Sequence, residues 1–287
     1  MPTVAQKDSN MIYHYQRHTA FYSLLCIFYF LLSPQANGQA PVLHQYTKAG
    51  IHLGSSTYHG DICPSLNCGL QFTRLNLNGS VRYHLQKQWF IKVNAGINQL
   101  SGNDASGPNP ERNLSFTSTN FYLSISGLRY LGKYHEYERN STNITPYVSF
   151  GLGGLFFNPR AELDGRQVEL QPLQTEGTNY SRFTIFIPLS FGITYRLSKR
   201  IDIDLAYTYN FSFSDYLDDV STSYVNNATL FGDAAILADR TFEGGFLPTQ
   251  TIDGIHSEAG VERGNSSTLD TYSLFTIGIS FDIEKHF

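Results

Sequence analysis

The chain has 287 residues and a formal net charge of −4, from 20 Lys and Arg against 24 Asp and Glu. A charge this close to balance gives no basis for a nucleic-acid partner. Charged residues make up 15% of the sequence and aromatic residues 14%, whereas soluble domains carry roughly 25% charged residues. Low charge, many Tyr, Phe and Gly, and no long apolar run after the N-terminus exclude a helical membrane protein and favour a membrane β-barrel.

The N-terminus has the pattern of a cleaved signal peptide. Residues 20–33 form an apolar core of about 14 residues, which is within the signal-peptide range and short for a membrane span. Basic residues precede this core and small residues follow it, so cleavage is expected after Gly38 or Ala40. The sequence therefore predicts an exported protein with a signal peptide over 1–40 and one barrel domain over 41–287.

Eight stretches of the remaining chain alternate apolar and polar residues with a period of two, the pattern of a strand with two different faces. In the longest run, 183–197, eight large apolar side chains share one face. Such a run suits a sheet in lipid better than a soluble β-sandwich, the alternative fold. The predicted strands are 45–58, 69–85, 88–98, 115–131, 144–157, 181–197, 200–213 and 269–283.

The connections between these stretches alternate between short and long. The short connections are 86–87, 132–143 and 198–199. The long connections are 59–68, 99–114, 158–180 and 214–268. This alternation is typical of bacterial outer-membrane barrels, whose periplasmic turns are short and whose extracellular loops are long. An open sheet would leave edge N–H and C=O groups unpaired in hydrocarbon, so we expect an all-β fold: an eight-stranded antiparallel transmembrane β-barrel with long extracellular loops.

Charged residues in the predicted strands follow the polar face, which becomes the lumen of the barrel. These residues are Arg82, Lys92, Arg196, Asp202, Asp204 and Asp282. An eight-stranded barrel has an interior just wide enough for side chains, so mixed charges predict a plugged lumen and not a channel. Arg129 is an exception on the apolar face, but it lies near the periplasmic end, where the cost falls to about 0–1 kcal/mol. Pro188 predicts a local break in its strand.

Cys63 and Cys68 remain after signal cleavage, in the segment CPSLNC. An oxidising compartment makes a local disulfide between them plausible. Two unpaired thiols, or a thiol paired with another protein, remain as alternatives. Together with the nearby His59 they supply too few ligands for a zinc site.

The sequence offers little that would support catalysis. His84 and Ser80 share one strand face and are the nearest approach to the Ser–His arrangement of a lipid-modifying barrel enzyme. The alternative interpretation is two polar lumen residues. Glycines over 151–154 imitate a phosphate-binding loop, but they lie within a strand, where tight packing or curvature explains them better. We therefore expect no enzyme activity and no cofactor.

An acidic turn, Asp215-Tyr216-Leu217-Asp218-Asp219, opens the longest loop, 214–268. Three carboxylates within five residues have the oxygen ligands that calcium prefers, but EF-hand spacing is absent. A solvated or helix-capping turn is one alternative, and a partner-docking turn is another. Further along, Asp233–Asp239 predicts one short helical turn.

Three strings of the sequence resemble the PorG-like outer-membrane barrels of Bacteroidota, a family tied to the type IX secretion system. The strings are FFNPRA at 156–161, LQPLQTEG at 170–177 and DYLDDVS at 215–221, and their order and spacing run over most of the mature chain. The resemblance implies an outer-membrane anchor that contacts the periplasmic ring lipoprotein of the secretion machine. The family offers no catalytic residues to transfer to this sequence.

The leading functional hypothesis is therefore a non-enzymatic outer-membrane barrel that serves as an accessory, anchoring component of type IX secretion. Its expected partners are outer-membrane lipid and the periplasmic ring lipoprotein, with no nucleic acid and no small-molecule substrate. The first alternative is a general surface barrel for adhesion or envelope integrity. The second is a lipid-modifying outer-membrane enzyme.

Overall fold

The computed structural model describes residues 47–86, 88–132, 143–241 and 258–283, so the predicted signal peptide lies outside the described residues. Within these ranges, no helix has the length and apolar character needed to cross a membrane. The strands are β1 (Thr47–His59), β2 (Arg74–Gln86), β3 (Trp89–Asn103), β4 (Ser115–Tyr130), β5 (Ile144–Phe156), β6 (Pro159–Leu163), β7 (Arg166–Glu169), β8 (Phe183–Arg196), β9 (Ile201–Ser212) and β10 (Thr271–Asp282). The helices are α1 (Leu66–Gln71) and α2 (Asp233–Ala238).

Eight of these strands form an antiparallel sheet that closes on itself. Each of β1 to β4 pairs with the next strand, β5 pairs with β8, and β8, β9 and β10 follow in order. Closure comes from β10, which pairs with β1 from Lys48↔Asp282 to His59↔Thr271. The prediction of an eight-stranded antiparallel barrel is confirmed.

The barrel has two different ends. The strand ends that flank the four long connections lie at one end, which we call the loop end. The strand ends that flank the short connections lie with Thr47 and Asp282 at the other, which we call the turn end. The described residues of the long connections fold together over the loop end, and we call this layer the cap. An apolar cluster that includes Tyr58, Ile62 and Leu217 fills the space beneath it.

The predicted strand ends lie within three residues of the observed ends, with two exceptions. β2 begins at Arg74 and not at 69, because the preceding residues form α1, whose N-terminus is capped by the Ser65 side chain. β3 continues to Asn103 and not 98, because β4 pairs with it as far as Asn103↔Ser115. The predicted short helix at 233–239 is confirmed as α2.

A hairpin of β6 and β7 occupies the predicted loop 158–180. Its turn is Asp164-Gly165, and both residues have positive φ, 50° and 75°. Asp-Gly is a favoured sequence for such a two-residue turn, because its positive φ values match the twist of the flanking strands. β6 pairs with β4 at Thr117↔Arg160, so the hairpin extends one side of the barrel wall beyond the loop end.

The two faces of the barrel wall differ as the alternation predicts. Side chains such as Leu123, Ile125 and Ile277 point outward and are exposed, whereas Arg82, Asp202 and Asp204 point inward and are buried. Among the other predicted lumen charges, Lys92 is buried while Arg196 and Asp282 are partly exposed at the turn end.

Two local predictions concern the outer wall and the strand ladder. Arg129 lies on the outward face beside the turn end, with its guanidinium 5.3 Å from the ring centre of Trp89. A cation over an indole ring is favourable and lessens the cost of a charge near lipid. At Pro188 the ladder to β5 is interrupted, since the β5–β8 pairing stops at Phe150↔Leu189 and resumes at Gly153↔Phe186, whereas β8 itself continues through this residue and pairs with β9. Proline has no N–H to donate to the ladder.

Candidate functional site

A polar network crosses the lumen at Arg82. Its Nη1 atom donates to Tyr130 Oη at 2.6 Å and Asp204 Oδ1 at 3.0 Å, and its Nη2 atom to Asp204 Oδ2 at 2.5 Å and Ser280 Oγ at 2.6 Å. Thr194 Oγ1 also donates to Asp204 Oδ1, at 2.6 Å. The five residues come from β2, β4, β8, β9 and β10. This network ties five of the eight wall strands together through the interior.

A second ionic layer lies closer to the turn end. Asp202 accepts from Lys48 Nζ at 2.6 Å and from Arg196 Nε at 3.2 Å. Lys48 was not among the predicted lumen charges, because glycines and serines interrupt the alternation of β1. The cross-strand register Lys48↔Arg82 places both side chains on the inward face, and the two layers plug the lumen as expected.

The structure does not assemble His84 and Ser80 into a catalytic pair. They lie four residues apart on one strand, which corresponds to roughly 13 Å at about 3.3 Å per residue, beyond hydrogen-bond reach. Instead, Ser80 Oγ lies 2.8 Å from Nε2 of His52, a lumen residue that the sequence reasoning missed. Both members of this pair are buried, and the His84 ring packs against Phe90. The lumen interpretation of these residues is the one that the structure supports.

The acidic turn lies in the cap, directly after β9. The side chains of Asp215, Leu217, Asp218 and Asp219 are buried, and that of Tyr216 is partly exposed. Burial raises the pKa of Asp215 to about 7 and that of Asp219 to about 6. The turn is therefore not a solvated turn, and within it Tyr216 is the side chain that keeps partial exposure.

Hydrogen bonds explain why these carboxyl groups point inward. Asp219 accepts from Thr175 Oγ1 and from Tyr180 Oη, each at 2.6 Å. Asp215 accepts from Ser221 Oγ at 2.7 Å. The Tyr180 ring also stacks on Tyr216, with 4.5 Å between ring centres. The turn thus fastens the loop after β9 to the loop between β7 and β8.

Asp218 shares the hydroxyl of Tyr58 with Asp270, which lies just before β10. The distances from Tyr58 Oη are 2.6 Å to Asp218 Oδ2 and 2.7 Å to Asp270 Oδ1. One phenol carries a single proton, so the second contact is a hydrogen bond when one of the two carboxyl groups is protonated. Burial raises the pKa values of both carboxyl groups well above their ordinary range, and charge repulsion from Asp61 on Asp218 and from Asp218 on Asp270 adds to it.

Two buried arginines join the four long connections. Arg112 binds Asp104 through Nε at 2.8 Å and Nη2 at 2.6 Å, and donates to the carbonyl oxygens of Asp61 and Arg263. Arg263 donates from Nη1 to Glu176 Oε1 at 3.0 Å. The sequence predicted none of these ion pairs, although Glu176 lies in the LQPLQTEG string, because each residue lies in a loop and acquires its partner through the fold.

Within the same cap, a disulfide joins Cys63 and Cys68, whose Cα atoms are 5.4 Å apart. Both sulfur-bearing side chains are buried beside the start of α1. Among the described residues, no three or more His, Cys, Asp or Glu side chains are grouped to hold a metal ion. The calcium interpretation of the acidic turn therefore finds no ligand set there.

The comparisons with known proteins identify the same architecture. The family model for the outer membrane protein beta-barrel domain matches residues 23–230. No curated protein sequence matches this chain.

Solved structures that resemble the chain are small outer-membrane barrels. Ail, the attachment invasion locus protein of Yersinia pestis, in complex with the heparin analogue sucrose octasulfate, is 10% identical, with 84% of this chain and 100% of that chain covered and a TM-score of 0.40. OprG from Pseudomonas aeruginosa is 10% identical, with 84% and 98% covered and a TM-score of 0.40. Neisserial surface protein A is 8% identical, with 83% and 99% covered and a TM-score of 0.40. Likenesses at this level carry no argument about activity. The family match, which spans more than half of the sequence, establishes that this chain belongs to the outer-membrane β-barrel domain family and is a protein of the outer membrane.

Proposed function

We propose that this protein is a non-enzymatic, non-conducting outer-membrane barrel that anchors a type IX protein secretion machine as an accessory component. The observation that carries the non-conducting role is the Arg82 network, which crosses the lumen and takes a side chain from each of five strands. An eight-stranded barrel is just wide enough for such side chains and leaves no path for cargo. A plugged barrel fits an anchor better than a conduit.

The link to type IX secretion is supported by the strings that resemble PorG-like barrels. Two of these strings meet in the cap: Thr175 binds Asp219, and Glu176 accepts from the backbone N–H of Ser221 at 3.0 Å. They therefore form one structural unit, and the resemblance extends to residues that hold the cap together.

The proposed contact with the periplasmic ring lipoprotein belongs at the turn end, which is the periplasmic end of a barrel of this type. The acidic turn is buried at the opposite, extracellular end, so it does not serve this contact. Lys199 and Arg200 are exposed in the turn between β8 and β9 and offer a basic pair on the periplasmic side. A partner with an acidic surface would complement them.

The test is deletion of the gene, followed by assays of the export of cargo with a type IX C-terminal signal and of co-purification of the ring lipoprotein. We expect export to fail in the deletion strain. A tagged wild-type gene should restore export, and the ring lipoprotein should co-purify with the tagged barrel. A Lys199→Glu, Arg200→Glu variant should restore neither, whereas Arg166→Glu, a matched change in the cap, should restore both. Normal export with no lipoprotein recovered would refute the proposal.

A general surface barrel is the second candidate, and one feature of the cap favours it. Phe231 is 85% exposed and lies just before α2, where Ile236 is also exposed. A contiguous apolar patch on an extracellular surface is typical of a binding site. Phe231→Ser should reduce cell adhesion if the cap is the working surface, and should leave export unchanged if the barrel is an anchor.

A catalytic role is not part of the proposal. The buried His52–Ser80 pair and the separation of His84 from Ser80 leave these residues without access to a lipid substrate. Mass spectra of lipid A from wild-type and deletion strains should be identical. A missing or added acyl chain in the deletion strain would contradict the non-enzymatic assignment.

A further inference from the structure

A row of phenylalanines crosses the outer wall near the extracellular end. Phe121 on β4 pairs with Phe156 on β5, and Phe156 pairs with Phe183 on β8. Partners in a sheet project from the same face, and these three rings are 53%, 46% and 57% exposed on the lipid side. Aromatic rings at this level are typical of the girdle between hydrocarbon and headgroups.

Two arginines that share one carboxylate lie beyond this row. Thr117, Arg160 and Glu169 form a cross-strand row over β4, β6 and β7, on the same outer face as Phe121. Glu169 Oε1 lies 2.8 Å from Arg160 Nη2, and Glu169 Oε2 lies 3.0 Å from Arg182 Nη1. Arg182 precedes Phe183 directly in the sequence, which places this charged group at the edge of the aromatic row.

The arginine pair carries more positive charge and more N–H donors than the Glu169 carboxylate neutralises and binds. Two guanidinium groups against one carboxylate leave one positive charge, and the side chains of Arg160 and Arg182 are 47% and 26% exposed. Among the described residues, the Glu169 carboxylate is the one hydrogen-bond partner of the Arg160 guanidinium. The Arg182 guanidinium binds the same carboxylate and also donates to the side-chain oxygen of Gln171 at 3.2 Å. Each guanidinium has five N–H groups, so most of them are available to an anionic ligand.

The spacing fits a ligand with an anionic head and acyl chains. Thr117 lies four residues from Phe121 along β4, about 13 Å along the strand and roughly 10 Å along the membrane normal for a strand tilted by about 40°. That places Arg160 in the headgroup region when the phenylalanines contact hydrocarbon. We propose that this outer face binds a phosphorylated acyl lipid of the surrounding membrane, with its phosphate on Arg160 and Arg182 and its chains against Phe121, Phe156 and Phe183.

The occupant is a lipid and not a protein, because the aromatic row belongs to the wall that faces hydrocarbon. Arginine suits a phosphate particularly well, since its planar fork donates two parallel hydrogen bonds to phosphate oxygens. The inference rests on the outer-membrane location and not on a role in secretion.

The test is native mass spectrometry of the purified full-length protein, released from detergent in the presence of monophosphoryl lipid A or of its dephosphorylated form. We expect the phosphorylated lipid to remain bound and the dephosphorylated lipid to dissociate. The Arg160→Gln, Arg182→Gln variant should lose at least about tenfold in affinity, which equals about 1.4 kcal/mol. The control is Arg166→Gln, an exposed arginine of the same hairpin that pairs with Asp233, and it should bind like the wild type.

Further arms separate the two halves of the site. Phe156→Ala should weaken binding, whereas Phe275→Ala, an equally lipid-exposed phenylalanine on β10, should not. Inorganic phosphate should fail to displace the lipid, and displacement at comparable concentrations would overturn the acyl half of the proposal. Equal lipid retention by the double variant and the wild type would overturn the whole proposal. Heat-modifiable gel migration verifies that each variant is folded.

Discussion

Arg82→Met is the sharpest test of the plugged lumen, because it removes one half of a buried ion pair. The side chains of Arg82 and Asp204 are each 2% exposed. Without the guanidinium, Asp204 keeps its bonds from Thr194 and Ser280 but loses its counter-charge. Breaking a buried pair by removing one partner costs about 3–5 kcal/mol, since an uncompensated charge is left behind. We expect the free energy of unfolding to fall by that amount.

A double-mutant cycle then isolates the charge effect. Adding Asp204→Asn to Arg82→Met removes the stranded charge. The amide oxygen still accepts from one of the two hydroxyls, Thr194 or Ser280, and the amide nitrogen donates to the oxygen of the other. The double variant should therefore recover about 2 kcal/mol or more of the loss in the single variant. Arg166→Met, which breaks an exposed pair, should leave the unfolding midpoint unchanged.

The assay is reversible urea unfolding in lipid vesicles, followed by tryptophan fluorescence. Trp89 is the single tryptophan of the sequence and lies at the start of β3, so its emission reports on the barrel wall. A loss below about 1 kcal/mol for Arg82→Met, or a double variant less stable than the single one, would refute the reasoning about the lumen.

Three further predictions concern the cap and the wall. Burial raises the folded-state pKa of Asp219 to about 6 and that of Asp218 well above its ordinary range. Their protonation therefore stabilises the cap below about pH 4, and this contribution is lost as pH rises through the raised values. Hydrogen exchange across the acidic turn, corrected for intrinsic rates, should therefore be faster at about pH 8 than at about pH 5. Cys68→Ser should destabilise the cap by about 2 kcal/mol, because the disulfide closes a short loop. The same exchange method should show this loss as faster hydrogen exchange in the cap. Gly192→Ala should destabilise the barrel by about 1–3 kcal/mol in urea unfolding, because the added methyl group would overlap the Tyr147 ring.

Each of these predictions has a matched control or a contrary outcome. Asp218→Asn should reduce the pH dependence of exchange, and an unchanged dependence would show that other groups cause it. Cap exchange in Cys68→Ser equal to the wild type would mean that the disulfide adds no constraint. Gly79→Ala is the control for Gly192→Ala, since the nearest atom to its new methyl group is 3.9 Å away.

The barrel wall could be predicted because its information is local. Alternation along each strand assigns every side chain to lipid or lumen, and a one-residue error would reverse the whole strand. The Asp164-Gly165 turn also carries a local signal for a two-residue hairpin, although 158–180 was predicted as a loop. The alternation of β1 was less informative, because small residues interrupt it. Lys48 and His52 were therefore not predicted to face the lumen.

The cap could not be predicted in the same way, because its contacts join loops that are far apart in the chain. Arg263 and Glu176 are separated by 87 residues and meet in a buried ion pair. The acidic turn illustrates the consequence. Read alone, three carboxylates suggest solvent, a metal or a partner, whereas the fold supplies them with hydroxyl and amide donors from other loops.

The cross-lumen network also constrains the order of events during folding. Arg82 lies on β2 and Asp204 on β9, and they become close neighbours through the ring when β10 pairs with β1. A partly assembled sheet that entered hydrocarbon one hairpin at a time would carry an uncompensated cation and anion, each at several kcal/mol. Insertion, seam formation and ion pairing are therefore expected to occur in one concerted step. The residues that plug the finished barrel thus also penalise its incomplete forms.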